Sequence, residues 1–226
     1  MALFLLSVML TLCAASPQDL SGKMFTFPEP SDSAHVRLTT SRQVLSAVTV
    51  CLRFFTDLRR DYSLFSLANL ASDNELLIFN SDSGNTYNYY IKNKVEVFIE
   101  QHYKLNTWHS ICTTWDSESG LGQLWLDGKP SSRKYISSGS NISGPIIIVL
   151  GQEQDSHGGG FDEKQCFVGM MSDVNMWDYN LSPCEIQNYM HHLNFAPGNV
   201  LNWRALEFQT TGRLLIEDKQ EIKTCN

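Results

Sequence analysis

The chain consists largely of short apolar segments that end at glycine, asparagine or aspartate, and this pattern restricts it to β-rich folds. Residues 49–55 (TVCLRFF) place apolar side chains at alternate positions, as a strand with one buried face does. Residues 146–150 (IIIVL) form a continuous apolar run, which is typical of a strand buried on both faces. Residues 123–130 lead a strand into an Asp-Gly turn. Together these segments predict an all-β fold, a two-sheet sandwich or jelly roll.

One short helix is predicted near residues 182–191. Ser182 suits the N-cap, Pro183 the first helical position and Glu185 the third, so the sequence contains a capping box. Apolar residues then follow at helical spacing, which predicts one face packed against the sandwich. The residues of that face are Ile186, Tyr189, Met190 and Leu193.

The first residues of the chain predict secretion. Residues 1–16 (MALFLLSVMLTLCAAS) form an apolar run that ends in small residues, as a signal peptide does. The run is too short to span a bilayer, and no later segment reaches transmembrane length. We therefore expect a signal peptide over residues 1–16, one domain over residues 17–226, and a secreted product without a transmembrane anchor. The formal net charge of −7 argues against nucleic acid as the main partner and suits a protein that binds cations.

Residues 151–165 (GQEQDSHGGGFDEKQ) concentrate carboxylates and amides around three consecutive glycines. These are the hard oxygen ligands that Ca²⁺ takes in sets of about 6–8, in flexible geometry. Glu153 and Asp155 lie two residues apart, so an extended chain points both to one side, where they can bridge two cations. The glycines allow the chain to fold back and bring Asp162 and Gln165 to the same site. The stretch predicts a calcium site, with a solvated acidic loop as the alternative.

Asp73 and Asn74 offer two more oxygen donors directly before a short apolar segment. By themselves they are typical of a turn that precedes a strand, and they bear on metal binding only if the fold brings them beside Glu153. A different reading is enzymatic, because Glu153 and Asp155 resemble the paired carboxylates of jelly-roll glycoside hydrolases. Retaining hydrolysis needs a second carboxylate about 5–5.5 Å from the first. A structural adhesion module without metal sites is a third hypothesis.

Secretion determines how the cysteines and sequons are interpreted. In an oxidising compartment, five cysteines after residue 16 predict two disulfides and one leftover thiol, with the pairing open. Of the two glycosylation sequons, the one at Asn141 is the better acceptor, because Pro183 follows the sequon at Asn180. The five cysteines are Cys51, Cys112, Cys166, Cys184 and Cys225.

Several stretches, taken in order and spacing, resemble the short pentraxin family over nearly the whole chain after residue 16. The matching segments are residues 25–28 (FTFP), 47–52 (AVTVCL), 73–79 (DNELLIF), 112–117 (CTTWDS), 124–130 (LWLDGKP), 150–156 (LGQEQDS), 175–178 (NMWD), 181–183 (LSP) and 199–206 (NVLNWRAL).

The resemblance implies a flattened, lectin-like jelly roll with one helix, secreted, non-enzymatic and assembled into rings that are usually homo-pentamers. It implies an acute-phase role in innate immunity, in which two Ca²⁺ ions per subunit bind phosphate-bearing or acidic ligands on microbial or damaged-cell surfaces. The opposite face would recruit complement, with Asp127 at a position implicated in that role. The metal ligands that it implies are Asp73, Asn74, Glu153, Gln154 (through its carbonyl), Asp155, Asp162 and Gln165.

The resemblance also implies a ligand pocket and a disulfide pattern. Phe79, Tyr90 and Glu96 would contact the organic part of the ligand, with phosphocholine and phosphoethanolamine as candidates. The family disulfide maps to Cys51–Cys112. The neuronal members of the family suggest Cys184–Cys225 as a second pair, which leaves Cys166 free or intermolecular.

Overall fold

A computed structural model of the chain describes residues 16–81 and 85–220. The predicted signal peptide, apart from Ser16, and the predicted disulfide partner Cys225 lie outside the described residues. Within the described ranges, no helix has the length and apolar character needed to cross a membrane.

Two antiparallel sheets account for most of the regular structure in the described residues. The first sheet contains β1 (Lys23–Phe27), β4 (Ala47–Phe55), β9 (His109–Asp116), β10 (Leu121–Leu126), β11 (Lys129–Pro130), β12 (Lys134–Tyr135), β15 (Gly169–Trp177) and β17 (Leu215–Asp218). The second contains β2 (His35–Leu38), β5 (Tyr62–Ala68), β6 (Leu76–Ser81), β7 (Thr86–Ile91), β8 (Lys94–Phe98), β14 (Ile147–Leu150) and β16 (Phe208–Thr211). A two-stranded ribbon joins β3 (Val44–Leu45) and β13 (Ile142–Ser143), and the helical elements are α1 (Pro183–Met190) and a 3₁₀ turn (Trp203–Ala205).

The two sheets form the predicted all-β sandwich. The first runs in the order β11-β10-β9-β4-β15-β1-β17, with β12 also paired to β10. The second runs in the order β16-β2-β14-β5-β6-β7-β8. Alternate residues of facing strands fill the space between the sheets: Leu52 and Phe54 of β4 and Tyr89 of β7 are fully buried in one apolar cluster. The alternating apolar residues of the segment 49–55 therefore face the core between the sheets, as predicted.

The strand β14 is buried on both faces, as its unbroken apolar run predicts. All four of its residues are buried. It pairs with β2 on one side and with β5 on the other, so it is a central strand. Its C-terminal end leads directly into the oxygen-rich stretch that begins at Gly151.

The predicted helix is present, and its capping box forms as expected. The Ser182 hydroxyl accepts a hydrogen bond from the backbone N–H of Glu185, and the Glu185 carboxylate accepts one from the backbone N–H of Ser182. The prediction that Leu193 belongs to the packed face is wrong, because the helix ends at Met190 and the Leu193 side chain is 57% exposed. The reason is local: His192 adopts a positive φ of 54°, which turns the chain out of the helix.

A disulfide joins Cys51 of β4 to Cys112 of β9, the pair implied by the family resemblance. The two residues lie directly opposite each other in neighbouring strands, and α1 packs over them in a second apolar cluster. Cys166 is buried and unbonded, and its sulfur accepts hydrogen bonds from the Ser31 backbone and the Arg60 guanidinium. Cys184 is exposed and forms no disulfide with another cysteine of the described residues. Its pairing with Cys225 stays a prediction.

Candidate metal centre

Strand pairing in the second sheet and a folded-back loop bring together the two oxygen-rich segments that are far apart in sequence. Strand β5 lies between β14 and β6, with Ser66 opposite both Val149 and Leu77. The chain leaves β14 towards Glu153, and it enters β6 from the turn that contains Asp73 and Asn74. β14 and β6 both run antiparallel to β5, so these two ends point in opposite directions along the sheet. The segments approach each other because the loop after β14 folds back, with the backbone N–H and the side-chain amide of Gln154 both donating to Ser66.

Glu153 is the buried centre of this group, with 4% of its surface exposed. Burial, the carboxylate of Asp155 and the carboxylate of Asp73 raise its pKa from 4.5 to about 7, and a hydrogen bond with the Asn74 side chain opposes the shift. Two neighbouring carboxylates that perturb the same buried acid must both lie close to it. Asp73 and Asp155 are therefore near enough to Glu153 for their charges to affect it, and the Asn74 side chain is near enough to hydrogen-bond it.

Three oxygens of the predicted ligand set are buried without any hydrogen-bond partner. They are Oδ1 of Asn74, Oε2 of Glu153 and Oε1 of Gln165. A buried polar atom left unpaired costs about 1–3 kcal/mol, so such a group requires an explanation. Hard cations would be suitable partners for these oxygens, because amide and carboxylate oxygens are the ligands that Ca²⁺ prefers. In the described residues no three His, Cys, Asp or Glu side chains are placed to hold a metal, so amide and backbone oxygens would have to complete the set.

The glycine-rich loop folds back on itself, as its composition predicts. Ser156 and Gly159 exchange two backbone hydrogen bonds of 3.1 Å. Gly160 has a φ of 75°, and a Cβ at that position would lie 2.9 Å from the Cβ of Asp155. The loop closes where the N–H of Phe167 donates to the carbonyl of Gly151 at 2.9 Å. Glycine is needed at Gly160 both for its conformation and for this close approach.

The side chain of Gln154 secures the loop from inside. Its amide nitrogen donates to the carbonyls of Ser66 (3.0 Å) and Ile147 (3.2 Å), and its amide oxygen accepts from the N–H of Gly158 (3.0 Å). The Gln154 backbone N–H also donates to the Ser66 hydroxyl at 3.2 Å. Because the side-chain amide is fully used, only the backbone carbonyl of Gln154 is left for a metal ion, as the resemblance implies.

Gln165 and Asp162 occupy different environments. The carbonyl of Gln165 accepts a hydrogen bond from the N–H of Ser63 at 2.9 Å, which attaches it to the start of β5. Asp162 lies in an exposed turn, where its carboxylate accepts a hydrogen bond from the N–H of Lys164 at 2.9 Å. Glu153 is therefore buried and Asn74 and Gln165 are half-buried, whereas Asp155 and Asp162 are exposed to solvent.

The sequence did not single out two residues that hold the site in place. One is Ser66, which binds Gln154. The other is Asn93, whose side-chain oxygen accepts from the N–H of Asn74 and whose own N–H donates to the Asn74 carbonyl, both at 3.0 Å. Lys92 and Asn93 have φ values of 54° and 58°, as in a type I′ hairpin turn. The Lys92-Asn93 pair between two strand-like segments is the sequence feature from which that turn could have been predicted.

The residues predicted to contact the organic part of a ligand divide between two faces of the second sheet. Strand register places Leu77 opposite Tyr90, so Phe79 and Tyr90 share the outer face, while Tyr89 points into the core. Glu96 lies opposite Tyr89 and therefore has the inward orientation, with its carboxylate 3.8 Å from the ammonium of Lys134. The structure does not bring Glu96 together with Phe79 and Tyr90.

Val95 takes the position opposite Tyr90 on the outer face. Its neighbour on that face is Val97, opposite Asn88, and both valine side chains are exposed. The strands of the outer face near Phe79 thus carry no charged side chain, and Asn88, which lies opposite Phe79, is polar. The prediction placed Glu96 on the outer face, whereas the structure has Val95 there, one residue earlier. Side chains alternate between the two faces along a strand, so an offset of one residue moves Glu96 to the inner face.

His109 and Asp127 form a half-buried pair at the end of the first sheet. Nδ1 of His109 lies 2.6 Å from Oδ2 of Asp127, and Nε2 lies 2.7 Å from the carbonyl of Lys104. Burial by itself lowers the pKa of His109, but the hydrogen bonds to Asp127 and Lys104 raise it above its usual 6.5. Both ring nitrogens face acceptors, an arrangement that suits the imidazolium form. This histidine has a structural role.

Comparison with known proteins identifies the chain's relatives. A family model described as the Pentaxin family matches residues 23–218. C-reactive protein of Sus scrofa is 44% identical over 94% of this chain and 95% of its own length. Serum amyloid P-component of Sus scrofa is 39% identical over 91% of this chain and 92% of its own length. The crystal structure of a heptameric SAP-like pentraxin from Limulus polyphemus superposes with a TM-score of 0.82 at 23% identity, over 89% of this chain and 97% of that one. The chain belongs to the pentraxin family, whose members are binding proteins and not enzymes.

Proposed function

We propose that the chain is a secreted pattern-recognition protein that binds phosphate-bearing or acidic ligands through two Ca²⁺ ions. The observation that supports this most directly is the set of three buried, unpartnered oxygens on Asn74, Glu153 and Gln165. Glu153 and Gln165 belong to the oxygen-rich stretch after β14, and Asn74 belongs to the turn before β6. A hard cation is the ordinary partner for such a group. The pentraxin relatives support a pattern-recognition role in innate immunity.

The ligands divide between two ions. Five groups would hold the first ion. Asp162 and Gln165 would hold the second ion, together with Glu153 and Asp155, which would bridge the two ions. When bound, the ions supply positive charge with open coordination positions, to which phosphate oxygens of a ligand can bind. The protein residues hold the carboxylates and amides in place before the ions arrive. The five groups of the first ion are Asp73, Asn74, Glu153, Asp155 and the Gln154 carbonyl.

The surface next to this site indicates which ligands are favoured. Phe79, Tyr90 and Val95 form an apolar, uncharged face in the part of the chain that the structure describes. A quaternary ammonium would find aromatic rings there but no carboxylate, because Glu96 has the opposite orientation and is paired with Lys134. We therefore expect phosphate monoesters with a neutral or apolar substituent to bind at least as well as phosphocholine.

Assembly and location complete the proposal. The chain is secreted after removal of residues 1–16 and forms a ring of identical subunits, which we propose to be a pentamer. Targets are repetitive phosphate-bearing or acidic surfaces of microbes or damaged cells, and the face that contains Asp127 recruits complement. Asn141, whose side-chain oxygen accepts a hydrogen bond from Ser117 at 3.0 Å, is the proposed glycosylation site. Sequencing of the secreted chain should begin at Pro17.

Retention on phosphoethanolamine and phosphocholine resins, with and without EDTA, tests the proposal. The protein should bind in Ca²⁺ and elute in EDTA, and Glu153→Gln should abolish retention. Glu163→Gln is the matched control, because Glu163 is an exposed acid of the same loop and is not a proposed ligand. Retention that survives EDTA, or equal loss in both variants, would contradict the proposal.

A further inference from the structure

A second concave site lies on the outer face of the first sheet, on the opposite side of the sandwich from Phe79 and Tyr90. It is a cavity of about 830 Å³, and we call it the outer-sheet cavity. Its floor comes from β4 and β15, through Arg53, Phe55 and Ser172, and the chain after α1 forms one wall. Cavities that bind small molecules have volumes of roughly 300–1,000 Å³, so its size fits one small ligand. None of the residues assigned to calcium lines it.

Apolar and aromatic side chains form part of the cavity wall, and polar or charged residues form the rest. Phe55 and Trp108 meet edge to face, with their ring centroids 5.8 Å apart. Leu193 and Phe195, which follow the helix, line the other side. The exposure of Leu193, which the helical pattern did not predict, thus places an apolar side chain beside the cavity. Such a surface favours a ligand with an apolar body.

Two hydrogen-bond donors at the cavity are buried and unsatisfied. Nη1 of Arg53 has no partner, and Nε1 of Trp203 has none although that side chain is only 3% exposed. Arg53 forms no ion pair with any described residue. The nearby carboxylate of Asp127 is already engaged, since it accepts from His109 and from the Ser110 N–H. Both residues line the cavity, so an acceptor group bound there could pair with these donors after a small side-chain adjustment.

The ionic side chains around the cavity are mostly positive. Three cations (Arg53, Arg204, Lys219) and one anion (Asp173) line it, a difference of +2, whereas the whole chain has a net charge of −7. Lys219 and Asp173 neutralise each other through a direct ion pair. Arg53 and Arg204 form no direct ion pair with a described residue, although Asp127 and Asp19 are near enough to interact with their respective charges. The local sign is opposite to that of the rest of the molecule and favours an anion.

We propose that the outer-sheet cavity binds a small organic anion that combines an aromatic or alicyclic body with one carboxylate, sulfonate or phosphate group. The anionic group accepts hydrogen bonds from Arg53 and Trp203, and the apolar body packs between Trp108 and the Leu193–Phe195 segment. The site requires no metal ion and does not depend on the proposed calcium function.

Calorimetry and tryptophan fluorescence on the full secreted chain in EDTA test this inference. Three probes of one shape separate charge from hydrophobicity: naphthalene-2-sulfonate, the neutral naphthalene-2-methanol and the cationic naphthalen-2-ylmethylammonium. The sulfonate should saturate at one per chain and bind about tenfold or more tighter than the cation, with the alcohol between them. Equal binding of the three probes, or binding that does not saturate, would overturn the proposal. Because Ca²⁺ is absent, a failure of the calcium proposal leaves this result unaffected.

Three variants identify the location of binding. Arg53→Gln and Arg204→Gln should each lower sulfonate affinity several-fold and leave the alcohol nearly unchanged. Arg37→Gln is the matched control, because Arg37 is an exposed arginine of β2 in the other sheet. Arg204 is itself exposed, so its variant should fold even if Arg53→Gln does not. Sulfonate affinity that is the same in Arg204→Gln, Arg37→Gln and the unmodified chain would place the binding elsewhere and overturn the proposal.

Discussion

At the scale of single residues, burial of Glu153 conflicts with ionisation of its carboxyl group in the metal-free molecule. It is buried, and it lies beside the carboxylates of Asp155 and Asp73, so its pKa rises to about 7. A folded-state pKa above the unfolded value means that the metal-free fold loses stability as pH rises from about 4.5 towards 7. A bound cation would remove that loss by pairing with the charge. The proposed cation would thus couple stability to metal binding at this one side chain.

The first prediction concerns Glu153→Gln. In EDTA at about pH 8 the variant should be more stable than the unmodified chain, because it has no buried charge beside Asp73 and Asp155. We expect a rise in melting temperature of about 2–4 °C for each kcal/mol relieved. In Ca²⁺ the order should reverse, because the variant lacks the ligand through which the ion stabilises the fold. Calorimetry in both buffers measures this. A variant that is less stable in EDTA and still responds to Ca²⁺ would contradict it.

The second prediction concerns the uncharged face beside the calcium site. Val95→Glu places a carboxylate opposite Tyr90, where a quaternary ammonium next to a bound phosphate could be paired. Affinity for phosphocholine relative to inorganic phosphate should rise about three- to tenfold, measured by competition on an immobilised ligand. Glu96→Gln is the control and should change neither ligand, because Glu96 has the opposite orientation. A loss of phosphocholine binding in Glu96→Gln would mean that this assignment of faces is incorrect.

The third prediction concerns the pair His109 and Asp127. The raised pKa of His109 contributes stability that is complete at low pH and is lost as pH rises through its folded-state pKa. Burial alone would raise the pKa of Asp127, yet the hydrogen bonds from His109 and Ser110 hold it below its usual 3.8. Its contribution is present above that value and is lost as pH falls through the folded-state pKa. The pair is therefore most stabilising between about pH 4 and 6.5.

Asp127→Asn should consequently destabilise the protein more at about pH 5.5 than at about pH 9. A difference of about 1 kcal/mol in the free energy of unfolding is expected, measured by denaturant titration at the two pH values. Asp178→Asn, at another partly exposed aspartate, provides the comparison. An equal cost of Asp127→Asn at both pH values would show that the ion pair contributes nothing.

At the scale of elements, local sequence patterns predicted structure well where the cause is local. The capping box at Ser182 and Glu185 and the buried strand at residues 147–150 depend on neighbouring residues and on the periodicity of side chains. The end of the helix was less predictable. Apolar spacing continued to Leu193, but a positive φ at His192 ended the face one turn earlier.

The fourth prediction tests the helix cap. Ser182→Ala removes the acceptor for the N–H of Glu185 and should lower stability by about 1 kcal/mol. Because α1 packs over the Cys51–Cys112 disulfide, the loss should appear in global unfolding rather than only as fraying of the helix. Chemical denaturation measures it, with Ser132→Ala at an exposed loop serine as the control. Equal stability of both variants would show that packing alone holds the helix.

At the scale of the whole molecule, the two sites proposed above lie on opposite sides of the sandwich and differ in charge. One is a carboxylate and amide group beside the second sheet, and the other is a cationic, aromatic cavity on the outer face of the first. The molecule can therefore present one face to a phosphate-bearing surface while the other stays accessible. Assembly into a ring would repeat both faces.

The fifth prediction concerns that assembly. Sedimentation of the secreted protein should give one discrete species of about five chains, consistent with closed cyclic symmetry. Binding to a densely phosphorylated surface should be about 10²–10⁴ times tighter than binding to the soluble monovalent ligand. Mass photometry and surface binding at two ligand densities measure these quantities. A monomer, or an affinity that does not depend on ligand density, would contradict the prediction.

The amino-acid sequence by itself determined the all-β class, the helix and its cap, and the kinds of oxygen donors available for a metal ion. These follow from residue types and short-range periodicity, which need no knowledge of distant contacts. The tertiary structure decided which donors meet, because Asn74 and Glu153 are 79 positions apart (153 − 74) and only the pairing of β14, β5 and β6 and the folded-back loop after β14 bring them together. It also decided which face of the second sheet the Glu96 side chain occupies. The outer-sheet cavity likewise exists only in the folded chain, because its lining residues range from Ser21 to Gln220. Strand register is set by long-range hydrogen bonds and core packing, and a shift of one residue exchanges the two faces.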